Sequence, residues 1–308
     1  MIKITLKDGS VKEFEAGVSV LDIAKSISEG LARNACCGII NKKVVDLRTK
    51  VNEDVDLSIC TADSQEGMDT IRHSISHVLA YAVKRLFPEA KLAFGPSIAN
   101  GFYYVFDVDN PFSASDLDKL EDEMRKIIKE NPSIERFELP RNEALELMKD
   151  EPYKVELIND LPEGEVISFY KMGDFTDLCA GPHLMSIKNV KAIKLLKSTG
   201  AYWKGNENNK MLSRIYGTAF LKKSELETHL EALEEAKKRD HNKLGRELKI
   251  FTTDENVGQG LPLLMPKGAK LMQILQRWIE DVEESRGYIP TKTPYMAKSD
   301  LYKVSSFP

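Results

Sequence analysis

Apolar and polar residues alternate from the first positions of the chain. Ile2, Ile4 and Leu6 are interleaved with Lys3, Thr5 and Lys7, the period of a half-buried strand. Asp8-Gly9 is a hairpin turn signal, and residues 11–14 return as the second strand. Ser19 is placed to cap a short helix carrying Leu21, Ile23, Ala24 and Ile27, with Gly30 as its stop. Short strands are expected at 35–40, 43–45 and 55–59. Hairpin, helix and further strands give residues 1–62 a β-grasp outline. Small and polar residues at 61–67 then read as a linker.

The next apolar pattern changes period. Ile71, Ile75, Val78, Leu79 and Ala82 mark one face of a long helix ending near Phe87-Pro88, with Asp69 as its expected cap. Residues 91–110 read as strand-rich, with turns at Gly95-Pro96 and Asn100-Gly101. Ser115, with Asp118 three residues on, is expected to cap a further helix, and a third is expected at 143–149. Mixed strands and loops fill 155–220, so that residues 63–224 form one α+β domain of ordinary size. Residues 224–248 alternate acidic and basic side chains, as a solvated connecting helix does. A bounded amphipathic helix starts at Pro266 and stops at Gly287, with Leu271, Leu275, Trp278 and Val282 on one face. Residues 288–295 then read as a strand interrupted by Pro290 and Pro294. No internal repeat or low-complexity segment is evident.

Composition adds limits rather than a function. The chain has 308 residues, 30% of them charged, and a net charge of −4, so a nucleic-acid partner needs a local basic face. The four cysteines, Cys36, Cys37, Cys60 and Cys179, show no disulfide spacing. No apolar run approaches a membrane span, and the first residues lack the core of a signal peptide. These features read as a reducing, cytoplasmic protein with no membrane partner.

The chemistry sits in two short strings. His73 and His77 are four residues apart on the long helix, one turn apart on one face. Alone, that pair reads most simply as two histidines with no shared task. Cys179-Ala180-Gly181-Pro182-His183 lies in a loop, because Gly-Pro forbids regular helix. Three of the five histidines and one of the four cysteines thus fall into two compact pairs. Such a set suits a tetrahedral zinc ion, and equally a water-activating hydrolytic site, since imidazole exchanges protons near neutral pH. Asp177, two residues before Cys179, reads equally as a histidine-orienting carboxylate and as a loop aspartate making a turn hydrogen bond. Lys154, in Tyr153-Lys154-Val155, is unremarked by itself.

Five strings, in this order, resemble bacterial threonyl-tRNA synthetases: Arg72-His73-Ser74-Ile75-Ser76-His77, Gly101-Phe102-Tyr103-Tyr104, the run from Asp177 to His183, Gly200-Ala201-Tyr202-Trp203-Lys204-Gly205, and the run from Asn208 to Ala219. The resemblance covers nearly the whole chain. Residues 1–62 resemble the family's ubiquitin-like TGS module and 63–224 its editing domain, followed by a linker helix at 225–248. Residues 249–308 resemble the start of the class II catalytic domain, with Gly287 to Pro294 like the first class II motif. Ala180 departs from the family, in which many relatives carry arginine there.

The resemblance implies hydrolysis of the ester in mischarged seryl-tRNA(Thr). It implies His73 or Lys154 as the group acting on water, with His77, Cys179 and His183 shaping the site. Tyr104 and Asp177 would grip the aminoacyl amine or the terminal ribose. The partner would be the acceptor end of tRNA(Thr), with a homodimer formed through residues 266–295. Editing would require no cofactor, with zinc on His73, His77, Cys179 and His183 as the alternative. ATP and the threonine-selecting zinc belong to the full-length parent, whose further motifs are expected beyond Pro308, so ligase activity is not expected of this chain alone. A non-catalytic RNA-binding or regulatory module is the competing reading; the retained histidines favour the enzyme.

Overall fold

The computed structural model describes residues 1–258 and 260–304. Two compact units are present, Met1–Leu230 and the chain from Glu231 onwards. The chain mixes helices with mainly antiparallel sheets, the α+β class its pattern predicts.

Residues 1–61 form a five-stranded sheet with strand order Val11–Phe14, Ile2–Leu6, Val55–Thr61, Ala35–Ile40, Lys43–Val45. Ile2–Leu6 and Val55–Thr61 pair in parallel and the other neighbours are antiparallel, the expected β-grasp. Helix α1 (Val20–Ile27) buries Val20, Ile23 and Ala24, and Val20 and Ile23 join Ile4, Leu47 and Leu57 in the module's own core. Gly30 does not end this helix. Ser28, in extended conformation, closes α1 and caps α2 (Glu29–Asn34) by accepting the Leu31 N–H. One residue in the extended region breaks the helix more sharply than a glycine two positions on.

Helix α3 (Gln65–Leu86) is the centre of the larger unit. Its cap is Ser64, five residues before the expected cap Asp69: Ser64 Oγ accepts the Gly67 N–H at 3.1 Å, while Asp69 lies inside the helix and accepts from Gln65 Nε2. Glycine is required at 67, where a Cβ would lie 1.8 Å from the Thr61 carbonyl oxygen. That close approach makes the expected linker a tight turn from the last β-grasp strand into α3. Burial extends around much of the helix and takes in Arg72, Ser74, Ser76 and His77 as well as the apolar face. The β-grasp sheet, helix α4 (Ala114–Glu130) and an antiparallel sheet all pack against it.

That second sheet orders Ala192–Tyr202, Met211–Phe220, Gly101–Asp107 and Lys91–Leu92, with Ser97–Ile98 paired to Gly101–Asp107. A three-stranded antiparallel sheet, Ile134–Glu138, Ser168–Met172 and Phe175–Leu178, leads into the 179–184 loop. The cap of α4 is Ser113 in a reciprocal box with Asp116, not Ser115 with Asp118. The two serine–aspartate pairs share one spacing, and the geometry selects the one two residues earlier. The third helix is α5 (Arg141–Leu147), shifted from 143–149, and α6 (Pro152–Asp160) follows it. Pro152 supplies the fixed φ of a first helical position and needs no N–H there.

The charged segment is α7 (Lys223–Lys238) and α8 (His241–Glu247) rather than one helix, because Asp240 recaps the chain by accepting the Lys243 N–H. In the second unit, Phe251–Thr252 pairs with Leu263–Leu264, followed by α9 (Pro266–Ser285) and α10 (Ser299–Val304). Leu271, Leu275 and Trp278 of α9 are exposed among the described residues. The strand expected at 288–295 is not formed. A strand needs a pairing partner, none is present among the described residues, and Pro290 and Pro294 have no N–H to donate. No helix of the described residues is long and apolar enough to cross a membrane.

Candidate active site

The two histidine-bearing strings meet. On α3 the rings of His73 and His77 lie edge to face, 5.1 Å apart. The loop after Phe175–Leu178 brings up the other pair: His183 stacks on His73 at 4.4 Å and stands edge-on to His77 at 4.3 Å. Cys179 Sγ lies 3.1 Å from His73 Nε2 and 3.3 Å from His183 Nε2. One donor atom from each of His73, His77, Cys179 and His183 lies within 4.8 Å of all the others. Gly181 makes the loop possible. Its φ of +78° belongs to the left-handed region, a Cβ would lie 2.1 Å from Tyr170 Oη, and its N–H donates to Cys179 Sγ at 3.2 Å.

The partners of each Nδ1 assign the tautomers. His73 Nδ1 faces the Gly95 carbonyl at 3.1 Å and must donate to it. His77 Nδ1 lies 3.3 Å from Asp177 Oδ2. His183 Nδ1 lies 3.2 Å from Ser74 Oγ, whose single proton is committed to the Thr70 carbonyl at 2.8 Å, so His183 donates as well. With Nδ1 protonated on all three rings, each Nε2 keeps a lone pair. Burial lowers the proton affinity of all three: His73 below its usual value, His77 to about 3, His183 well below. They are neutral bases at pH 7. Burial also pushes the Cys179 thiol up to about 12, so it is a thiol there and can donate to only one of its two imidazole neighbours.

Behind His77 lies a buried charged group. Lys154 of α6, 2% exposed, puts Nζ 2.5 Å from Asp177 Oδ1. Tyr104 of Gly101–Asp107 donates to Asp177 Oδ2 at 2.6 Å, and Lys154 Nζ lies 5.6 Å from the Tyr104 ring centroid. Burial alone would raise Asp177; the Lys154 ammonium, His77 and the Tyr104 hydroxyl outweigh it and hold the carboxyl below its usual range. Burial beside that carboxylate drives the Tyr104 phenol well above its own. Helix α6 is in turn pinned by the tip of the 192–220 hairpin, where Trp203 Nε1 donates to Glu156 at 3.0 Å and the Trp203 ring meets Tyr153 at 4.8 Å.

All seven residues singled out from the sequence, His73, His77, Tyr104, Lys154, Asp177, Cys179 and His183, therefore gather in one cluster. His73 and Cys179 are half-buried; the other five are buried. Ala180 is exposed on the loop. Sequence reasoning passed over Ser74, Gly95, Tyr170, Asp46 and Arg48. Ser74 was visible between the two histidines, but a serine inside a helix gives no sign that it holds a distant imidazole.

Three neutral imidazoles with their Nδ1 atoms held and one thiol form a donor set that fits zinc. His73, His77, Cys179 and His183 would hold the ion, which would supply an acidified water molecule.

A TGS domain model matches residues 2–61, and the model of the threonyl and alanyl tRNA synthetase second additional domain matches residues 167–216. The threonine–tRNA ligase of Clostridium botulinum (strain Eklund 17B / Type B) is 81% identical over 305 residues, 99% of this chain and 47% of that protein. That of Clostridium perfringens (strain 13 / Type A) is 77% identical over the same shares, and that of Clostridioides difficile (strain 630) is 56% identical over 307 residues, 99% of this chain and 48% of that protein. The chain spans about half the length of the curated relatives it matches. With both modules in order on a chain that aligns almost end to end at such identity, this protein belongs to the threonyl-tRNA synthetase family and corresponds to its N-terminal part.

Proposed function

We propose that residues 63–224 form an editing domain that hydrolyses the ester of seryl-tRNA(Thr). The single observation that carries this reading is the cluster of three neutral imidazoles, a thiol and a Lys154–Asp177–Tyr104 group, of which Asp177, Cys179 and His183 fall within the matched second additional domain. The biochemical need is simple. A pocket built for threonine rejects serine, one methyl smaller, by only ~10–200-fold, so a second site must remove the error.

Hydrolysis needs a base for water, a donor for the developing oxyanion, and a proton for the departing ribose oxygen. His73 Nε2 is the proposed base, its Nδ1–H anchored on Gly95 and its ring at the half-buried mouth of the cluster. As water adds to the ester carbonyl, His73 takes its proton; the acyl–oxygen bond then breaks, and the ribose oxygen leaves with that proton, which returns His73 to its neutral state. Lys154, the second candidate, would act on the other side of the ester, as donor to the charge that develops there. His77, Cys179 and His183 order the water and the acyl group. Tyr104 and Asp177 meet the amine or the ribose. Their polar atoms are engaged with each other, Lys154 and His77, so a substrate amine would exchange for one of those contacts. Zinc is not required in this scheme.

The same reading takes residues 249–308 as the start of a class II catalytic domain, in a parent that joins threonine to tRNA(Thr) using ATP and a threonine-selecting zinc. The exposed apolar face of α9 supports a homodimer through residues 266–295, with the acceptor end of tRNA(Thr) as the other partner. The proposed location is the cytoplasm. The test is single-turnover deacylation of seryl- and threonyl-tRNA(Thr) by this chain. Loss of serine alone supports the proposal; equal stability of both esters overturns it.

A further inference from the structure

We infer that the β-grasp module is a working part of the editing site, its Asp46–Arg48 pair fixing the main chain of His183 and hence the place of the His183 ring. One pair from residues 1–62 grips both sides of one residue more than a hundred positions away. Asp46 Oδ2 accepts the His183 N–H at 3.1 Å, and Arg48 Nη1 donates to the His183 carbonyl at 3.3 Å. Arg48 Nη2 donates to the next carbonyl, Leu184, at 3.2 Å and to Ile134 at 2.7 Å. Asp46 Oδ1 accepts from the Arg48 backbone at 2.8 Å and from Arg48 Nη1 at 3.0 Å, so the two side chains hold each other in register.

A third contact runs to the ring itself. Tyr170 donates to Asp46 Oδ2 at 2.9 Å; its ring stands edge-on to His183 at 4.3 Å, and its hydroxyl fills the space beside Gly181. Asp46 thus controls His183 by its backbone and, through Tyr170, by its imidazole. Asp46 is 5% exposed and the Arg48 side chain 17%, so water does not compete well for these bonds. A guanidinium suits the task because its flat fork reaches several carbonyls at once, which a lysine ammonium on a flexible stem does not reproduce. Neither residue touches the space where an ester would react; both are positioning residues.

The rate arm of the test rests on the deacylase reading; the spectroscopic arm does not. Asp46→Asn and Arg48→Lys are introduced into the full 308-residue chain. Seryl-tRNA(Thr) hydrolysis is followed under single turnover over a range of protein concentration, and the imidazole resonances are recorded with ¹⁵N-histidine. The expected result is a rate at saturation lower by about 10–100-fold, the cost of a misplaced catalytic group. The half-saturating concentration stays unchanged, and the His183 resonances move while those of His241 stay. A module that only held tRNA would raise the half-saturating concentration and leave the ring where it is. Should either variant fail to fold, Tyr170→Phe removes a single bond to Asp46 and is expected to slow the step several-fold with the same resonance shift. Folded variants with unchanged rate and unchanged His183 resonances overturn the inference. If the unaltered chain releases no serine, the enzymatic reading alone fails, and the resonances still decide the position of His183.

Discussion

His73 carries the sharpest prediction because its two nitrogens have separate duties: Nδ1 is anchored on Gly95, and Nε2, beside the Cys179 thiol, carries the lone pair that would take a proton. His73→Ala is expected to slow seryl-tRNA hydrolysis by about 10²–10⁴-fold, the usual contribution of a general base, with the thermal midpoint little changed. Unchanged single-turnover rates would remove it from the mechanism. The three depressed histidine affinities also set a pH dependence of stability. The unfolded chain takes up protons near pH 6.5, while in the folded chain His77 does so only near 3 and His73 and His183 below their ordinary value. Stability is therefore full above about pH 6.5 and falls as the medium becomes more acid, by up to about 1.4 kcal/mol per pH unit from His77 between pH 6.5 and 3, with His73 and His183 acting in the same direction. Urea titrations at several pH values should show this slope, and His77→Gln should flatten it. Lys154 offers a third test. Its removal as Lys154→Met leaves the Asp177 carboxylate buried without its cation, at a cost of about 3–5 kcal/mol. Lys154→Met combined with Asp177→Asn should recover part of that loss in the same unfolding measurement.

The 179–184 loop shows how a short element turns spacing into a site. Cys179 and His183 face each other because Gly181 adopts a conformation few other residues tolerate and sits against the Tyr170 hydroxyl. Gly181→Ala is expected to push the loop off Tyr170 and lower deacylation at least tenfold, while α3 and its sheet stay folded by circular dichroism. Apolar periodicity locates α3 and a serine–aspartate cap signal locates α4, but in both the capping residue lies earlier than the sequence indicates. Cap choice rests on the φ and ψ of one residue, and Ser64 and Ser113 adopt the extended conformation that Asp69 and Ser115, both inside their helices, do not. Helix α6 was missed altogether: its sequence alternates too weakly to announce a helix, and the Trp203 hairpin tip that covers it comes from far along the chain.

At the scale of the whole molecule, the first unit joins two modules through α3, the tight turn at Gly67 and the Asp46–Arg48 grip on His183. If editing is metal-independent as proposed, treatment with a chelator and removal of the chelator should leave the serine release rate within about twofold; its loss, restored by added zinc, would assign the metal-bound form. What local forces decide is legible along the chain: the β-grasp strands from their alternation, α3 from its period, the broad α+β class, and both histidine-bearing pairs, since residues four apart on a helix share a face. The folded chain alone brings the pairs together, leaves each imidazole neutral with its proton on Nδ1, and joins a carboxylate at 46 to the main chain at 183. Those features depend on burial and on partners supplied by distant segments, and no spacing along the chain encodes the desolvation or the hydrogen bonds that appear when such segments close on one another.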